Sequence, residues 1–268
     1  GNQNPAATQF AITSDTTGPS VTGVSSPSAN TTYPLASVIP IVVTFDEAVT
    51  VTGLPQITLA TGTPAVVDYT SGSGTTDLTF NYTVSASHTA TDLDYVSTTA
   101  LALNAGTITD LAGNTATLTL AAPGASGSLG NNKSLGVDST APTATTTTGH
   151  PTGTSATTTL SITVSGADVT HYKHKVGDSS SINCSVTAGY SAETPIATLI
   201  TDDISGITNG NTARLCVIGR DAAGNWQTEA SAYSITWTKD TTAPTVTGVT
   251  TTKADGTYDV GEVIAITV

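Results

Sequence analysis

The sequence predicts an all-β chain, and three observations carry that expectation. Aromatic residues make up 5% of the 268 residues, methionine is absent and about a fifth of the positions are threonine. That composition suits short β-branched strands and polar turns and argues against helical bundles. No stretch repeats its apolar residues with a helical period, and Gly and Pro punctuate the chain where apolar alternation ends.

Taken in order, the strands expected first are 20–25, 38–45, 56–60, 65–70, 77–85, 101–109 and 115–121. The clearest is the fifth, where Leu78, Phe80, Tyr82 and Val84 alternate with Thr79, Asn81 and Thr83, the period of a half-buried antiparallel strand. Gly72-Ser-Gly74 supplies the turn before it. The stretch 123–133, rich in Gly, Ser and Asn, reads as a long loop, with a last strand at 134–137. Further on, 160–164, 170–176, 214–219 and 232–238 are the clearest strands.

The chain is punctuated three times by one kind of linker: Asp15-Thr-Thr-Gly-Pro19, Asp138-Ser-Thr-Ala-Pro142 and Asp240-Thr-Thr-Ala-Pro244. Repeated punctuation at long intervals describes a string of similar units. Gln9-Phe10-Ala-Ile12-Thr-Ser-Asp15 lines up with Ser234-Ile235-Thr-Trp237-Thr-Lys-Asp240. Ala254-Asp-Gly-Thr-Tyr258 through Val268 follows Ala29-Asn-Thr-Thr-Tyr33 through Val43 position for position. The expected organisation is therefore the last strand of a preceding module (1–15), module one (16–138), module two (139–240) and the first strands of a following, truncated module (241–268). Two domains of roughly 100 to 125 residues are each large enough for a core.

Charge narrows the partners. Seven basic residues against 20 acidic ones give a formal charge of −13. That balance would repel nucleic acid phosphates and anionic lipid surfaces. The acids are dispersed, which distinguishes the chain from an acidic tail. No apolar run reaches the ~18 residues that span a bilayer, so no membrane insertion is expected within this segment. Cys184 and Cys216, the only cysteines, fall in module two on separate strand-like segments. One intradomain disulfide, and with it an oxidising location, is the expectation, with two buried free thiols as the alternative.

The linker, the Asp-x-Ala-Gly-Asn turn at Asp110–Asn114 and again at Asp221–Asn225, and Val43-Thr-Phe-Asp-Glu47 together resemble the bacterial Ig-like modules that occur in tandem in very large secreted or surface-attached proteins, many of them adhesins. The resemblance covers essentially the whole chain. It implies tandem Ig-like β-sandwich modules in an elongated array, at the cell surface or outside a bacterium. Its functional implication is a structural stalk or fibre segment whose partners are its own neighbouring modules. The alternative is that one module is itself adhesive and binds a surface glycan or protein. Exposed aromatics around Tyr190, Trp226 or Tyr233 would favour binding, and their burial favours the stalk.

An Ig-like sandwich would gather Asp15, Asp46, Glu47, Asp110 and Asn114 at one end of module one. Several oxygen donors at a domain junction are what Ca²⁺ requires. Asp138, Asp168, Asp221 and Asn225 form the weaker counterpart in module two. The competing reading is that Asp-x-Ala-Gly-Asn is simply a good turn, Asp bonding a nearby backbone N–H and Gly or Asn taking positive φ. His171 and His174 fall on opposite faces of a strand and cannot share a metal, which leaves a solvated strand with Tyr172 turned inward. No nucleophile elbow, zinc-helix motif or phosphate loop is present, and an enzymatic role is not expected.

Overall fold

The computed structural model describes residues 14–268, so the strand expected at the start of the chain lies, but for its last residues, outside the described residues. Those described are mostly β, in several antiparallel sheets with almost no helix. They fall into two compact units. The first is the described part of Gly1–Pro142 with Asp168–Thr170 and Gly219–Gln227, and the second is Thr143–Ala167, His171–Ile218 and Thr228–Val268.

The first unit contains β1 (Val21–Ser25), β2 (Thr32–Tyr33), β3 (Val38–Thr52), β4 (Gln56–Leu59), β5 (Ala65–Ser71), β6 (Thr75–Thr83), β7 (Thr89–Ala90), β8 (Leu101–Ala102), β9 (Thr107–Thr109) and β10 (Gly136–Asp138). Its main sheet runs β1-β3-β6-β5-β4-β8, with β9 added to β3, and a smaller sheet runs β2-β10-β7. Alternation in β6 places Leu78, Phe80 and Tyr82 in the core and leaves Asn81 and Thr83 outside, as the sequence expects. Full burial of one such side chain contributes about 1.5–3 kcal/mol. Ile39, Ile41 and Val43 of β3 and Leu129, Leu135 and Val137 complete the same cluster.

Four expectations change in detail. Strand β3 does not end at Phe45 but runs to Thr52, because a register break between Thr44 and Val49 turns it from β6 toward β9. Asp46 and Glu47 therefore ride on an irregularity, where the extra residues of β3 redirect side chains. The strand expected over 101–109 splits in two, since Asn104 and Ala105 adopt positive φ and Gly106 N–H closes on Leu103 O at 2.8 Å. The two halves join different strands, β4 and β3. Only isolated bridges, Ser20↔Thr117 and Thr109↔Thr115, form along 115–121. The loop at 123–133 carries a single helical turn, Leu129–Asn132, capped by the Ser128 hydroxyl accepting from Asn131 N–H.

The second unit contains β11 (Thr145–Thr148), β12 (Thr154–Ser155), β13 (Thr163–Ser165), β14 (His171–Asp178), β15 (Thr194–Pro195), β16 (Thr212–Arg220, whose last residues pass to the first unit) and β17 (Tyr233–Lys239). The order is β12-β17-β16-β14-β15, with β11 and β13 as a separate pair. Ile162, Tyr172, Leu215, Val217 and Trp237 are buried. Cys184 and Cys216 form a disulfide across 32 positions, which supports an oxidising, extracellular-type environment.

The C-terminal pair, β18 (Thr250–Thr251) and β19 (Ile266–Thr267), repeats the register of β1 with β3. Thr250 opposes Thr267 as Ser25 opposes Val42, each residue 225 positions after its counterpart. Tyr258 hydroxyl donates to Ala254 O as Tyr33 hydroxyl donates to Ala29 O. The sequence alignment of these segments is thus also a geometric one.

Candidate functional site

Each Asp-x-Ala-Gly-Asn turn is one hydrogen-bonded object built on two side chains. Asn114 N–H donates to Asp110 Oδ1 and its Nδ2 to Asp110 Oδ2, both at 2.7 Å, while Asp110 N–H returns to Asn114 O at 3.1 Å. Asn225 repeats the set on Asp221 at 2.8, 2.8 and 3.1 Å. The intervening glycines, Gly113 and Gly224, sit at φ of +94° and +114°, where a side chain would be strained. The turn reading of this motif therefore accounts for its residue types.

The same amides reach the linkers. Asn114 Nδ2 donates to Asp15 O at 3.2 Å, and Asn225 Nδ2 to Asp138 O at 2.9 Å. Asn225 Oδ1 also accepts from Leu35 N–H at 2.9 Å, within the first unit. The linker aspartates turn their carboxylates inward on their own segments: Asp15, Asp138 and Asp240 accept from the N–H of Thr17, Thr140 and Thr242 at 3.0, 2.9 and 2.9 Å.

Of the carboxylates expected at a cation site, Asp15, Glu47 and Asp110 come together, with one ligand oxygen from each lying within 4.8 Å of the others. Among the described residues no other group of three His, Cys, Asp or Glu side chains does so. Asp46 points elsewhere and accepts from Ser20 N–H at 2.8 Å, and Asn114 turns a donor toward Asp110 and Asp15. Desolvation, then the charges of Asp110, Asp15 and Asp46, raise the pKa of Glu47 above its ordinary value. Desolvation pushes Asp110 up as well, but hydrogen bonds from Asn114, Gly113 and Ala112 outweigh it and hold the carboxyl low. In the second set, Asp138, Asp168 and Asp221 line a cleft of about 350 Å³ in the first unit, with Asp168 at a φ of +61°. There Asp221 is committed to Asn225 and Gly224.

The opposite pKa shifts of Glu47 and Asp110 give an expected pH response. A carboxyl with a raised folded pKa weakens the fold above that pKa, and one with a depressed folded pKa supports the fold until pH falls through it. Mild acidification that protonates Glu47 should raise the melting temperature of the first unit. Acidification below the ordinary carboxylate range, which protonates Asp110, should lower it. A melting series in pH on Glu47→Gln checks this, since the rise should vanish and the acid-side fall persist.

Strand alternation placed Tyr172 inward correctly but missed what surrounds it. His174 Nε2 lies 2.7 Å from Asp202 Oδ2, its side chain 11% exposed, so that face is packed rather than solvated. On the opposite face Lys175 is buried, its Nζ donating to Val186 O and Ala188 O at 2.5 and 3.3 Å and lying 4.2 Å from the Tyr190 ring centroid. His171 is 3.9 Å from Glu193, apart from His174 as expected. Tyr190, Trp226 and Tyr233 are all partly buried, and they offer no exposed aromatic cluster. No signal short of the loop's fold could have revealed the Lys175 contacts.

Comparison with protein-family models finds none that matches the chain, and comparison with curated proteins finds no matching sequence.

Proposed function

We propose that the chain is a segment of a structural stalk, built of tandem Ig-like modules in a secreted or surface-attached bacterial protein, and that it acts by holding neighbouring modules in register. The observation that carries this reading is the recurrence of one device at two linkers. A turn late in each repeat grips the aspartate carbonyl of the linker that enters it, through the same amide nitrogen. A linker tied down in this way loses freedom to swing, which is what a spacer needs and a catalyst does not. The partial burial of Tyr190, Trp226 and Tyr233 supports the same reading. Small-angle scattering is the test: the stalk reading expects an elongated particle, and a compact profile overturns it.

The second element of the proposal is Ca²⁺ at the entrance of module one, on Asp15, Glu47 and Asp110. Three carboxylates supply part of the ~6 to 8 oxygens this hard cation takes, and water would complete the shell. Like charges held this close weaken the fold unless a cation neutralises them. Ca²⁺ should therefore raise the melting temperature of the first unit by mass action. Glu47→Gln should raise it without Ca²⁺ and abolish the further rise with it. An unchanged melting temperature across Ca²⁺ and chelator would leave Asp110 as a turn residue alone.

A further inference from the structure

The main sheet of the first unit is continuous in strand order but not in pairing. The β5–β6 ladder covers Tyr69↔Phe80 and Ser71↔Thr79, whereas Ala65–Asp68 pair with β4 and Asn81–Thr83 with β3. Between them the sheet opens. Tyr69 N–H donates toward β4, to Pro55 O at 2.8 Å, so by strand alternation the amides and carbonyls of Asp68 and Val66 turn the other way. Asn81 N–H donates to Thr70 Oγ1 at 3.2 Å, so Asn81 and Thr83 face the same gap from β6.

Both ends of the gap are closed. At one end the Thr70 hydroxyl takes the Asn81 N–H and lies 3.5 Å from Asp68 O. At the other Gly62 N–H donates to Thr89 O at 2.9 Å, a tight approach in which a Cβ would lie 2.8 Å from the Thr89 hydroxyl and 3.1 Å from Ser87 O. The slot between these two ties opens to solvent and has a volume of about 630 Å³, in the range of small-molecule sites, and Val66, Asp68, Asn81, Thr83, Ser85 and His88 are among its walls.

The chemistry of the slot is mixed and neutral in demand. Val66 and Thr83 present N–H and C=O groups that no β5–β6 ladder bond occupies. Asp68 Oδ1 accepts from Gln56 Nε2 at 2.7 Å, which leaves its second oxygen. His88 Nδ1 takes the Ser85 N–H at 3.2 Å and lies 3.0 Å from the Tyr82 hydroxyl, so the ring proton sits on Nε2. An anionic ligand meets Asp68 and a chain of charge −13. An extended peptide meets two closed ends, where strand addition needs an open edge. Hydroxyl groups both donate and accept, and they replace the waters of such a slot without loss of hydrogen bonds.

We propose that this slot binds a neutral saccharide through Asp68, Asn81, Thr83 and the backbone of Val66. The inference takes up the second reading of the chain, an adhesive module, and leaves the stalk reading untouched. The experiment is amide NMR of the full chain titrated separately with glucose, galactose, mannose, N-acetylglucosamine and a threonine-rich peptide. Saturable shifts at Val66, Asp68, Asn81 and Thr83 with at least one sugar are expected, and the Asp68→Ala/Asn81→Ala variant should bind at least tenfold more weakly with the remaining spectrum preserved. No saturable shift with any of these sugars, shifts confined to other residues, or a response to the peptide alone overturns the proposal. Scattering on the same sample reports on the stalk independently.

Discussion

Reducing the Cys184–Cys216 bond should destabilise the second unit more than any other single chemical change. The bond closes a loop of 32 positions, and on the chain-entropy account its removal costs about 3.7 kcal/mol through the freedom returned to the unfolded chain. A folded-state contribution acts in the same direction. Cys184 anchors an otherwise exposed loop whose carbonyls, Val186 O and Ala188 O, hold the Lys175 ammonium, and Tyr190 hydroxyl ties back to Cys184 O at 2.9 Å. Burial already depresses the pKa of Lys175, so loosening its carbonyl partners leaves a poorly compensated charge. For a unit of this size the melting temperature should fall by roughly 15–25 °C. Melting curves with and without reductant, beside Cys184→Ala/Cys216→Ala, test it: the first unit should not move, and an unmoved second unit contradicts the argument. Two reactive thiols in the unreduced, denatured chain would remove its premise.

How much of this was legible in the sequence depends on range. The alternation in Leu78–Val84 and the repeat of Tyr33 by Tyr258 were readable because period-two burial and fixed offsets are local facts. The bend of β3 at Asp46–Glu47 was not, because it depends on β6 and β9 competing for one strand. The slot between β5 and β6 was invisible for the same reason: both strands have good alternation, and nothing in either says where they part. Among the candidate ligands, Asp15, Glu47 and Asp110 converge across 95 positions of chain, and Asp46, adjacent to Glu47, does not. A strand sends neighbours to opposite sides, so sequence adjacency was a poor guide to that cluster.

The C-terminal pair shows what the register repeat implies energetically. Val24, Ile39, Ile41 and Val43 are at most 1% exposed in the first unit, while their counterparts Val249, Ile264, Ile266 and Val268 are 41–79% exposed. The pairing geometry is the same and the burial is not. Local sequence thus specifies the β18–β19 pairing, while its apolar side chains lack most of the burial that the strands packed around β1 and β3 provide.

Asn225→Ala should be the most damaging single substitution in the linker turns. Asn225 is 6% exposed and Asp221 4%, and one side-chain amide serves three partners: the buried Asp221 Oδ2 and the part-buried Asp138 O and Leu35 N–H. Truncation leaves the buried carboxylate short of a donor and strands a carbonyl and an N–H where water has only partial access. A hydrogen bond to a charged group contributes about 1.5–3 kcal/mol, and each orphaned neutral partner adds a desolvation cost, so a loss of about 3–4 kcal/mol is expected. Asn225→Asp keeps the shape but replaces the donor with a second carboxylate beside Asp221, and it should be no milder. Asn114→Ala removes the bonds to Asp110 Oδ2 and to the exposed Asp15 carbonyl but has no counterpart of the Leu35 bond, and its effect should be clearly smaller. The site-specific measurement is hydrogen exchange at the Leu35 amide, which should quicken in Asn225→Ala and stay slow in Asn114→Ala. Equal effects of the two substitutions, or an unaltered Leu35 amide, would mean that the turn merely shapes its own loop and does not hold the linker.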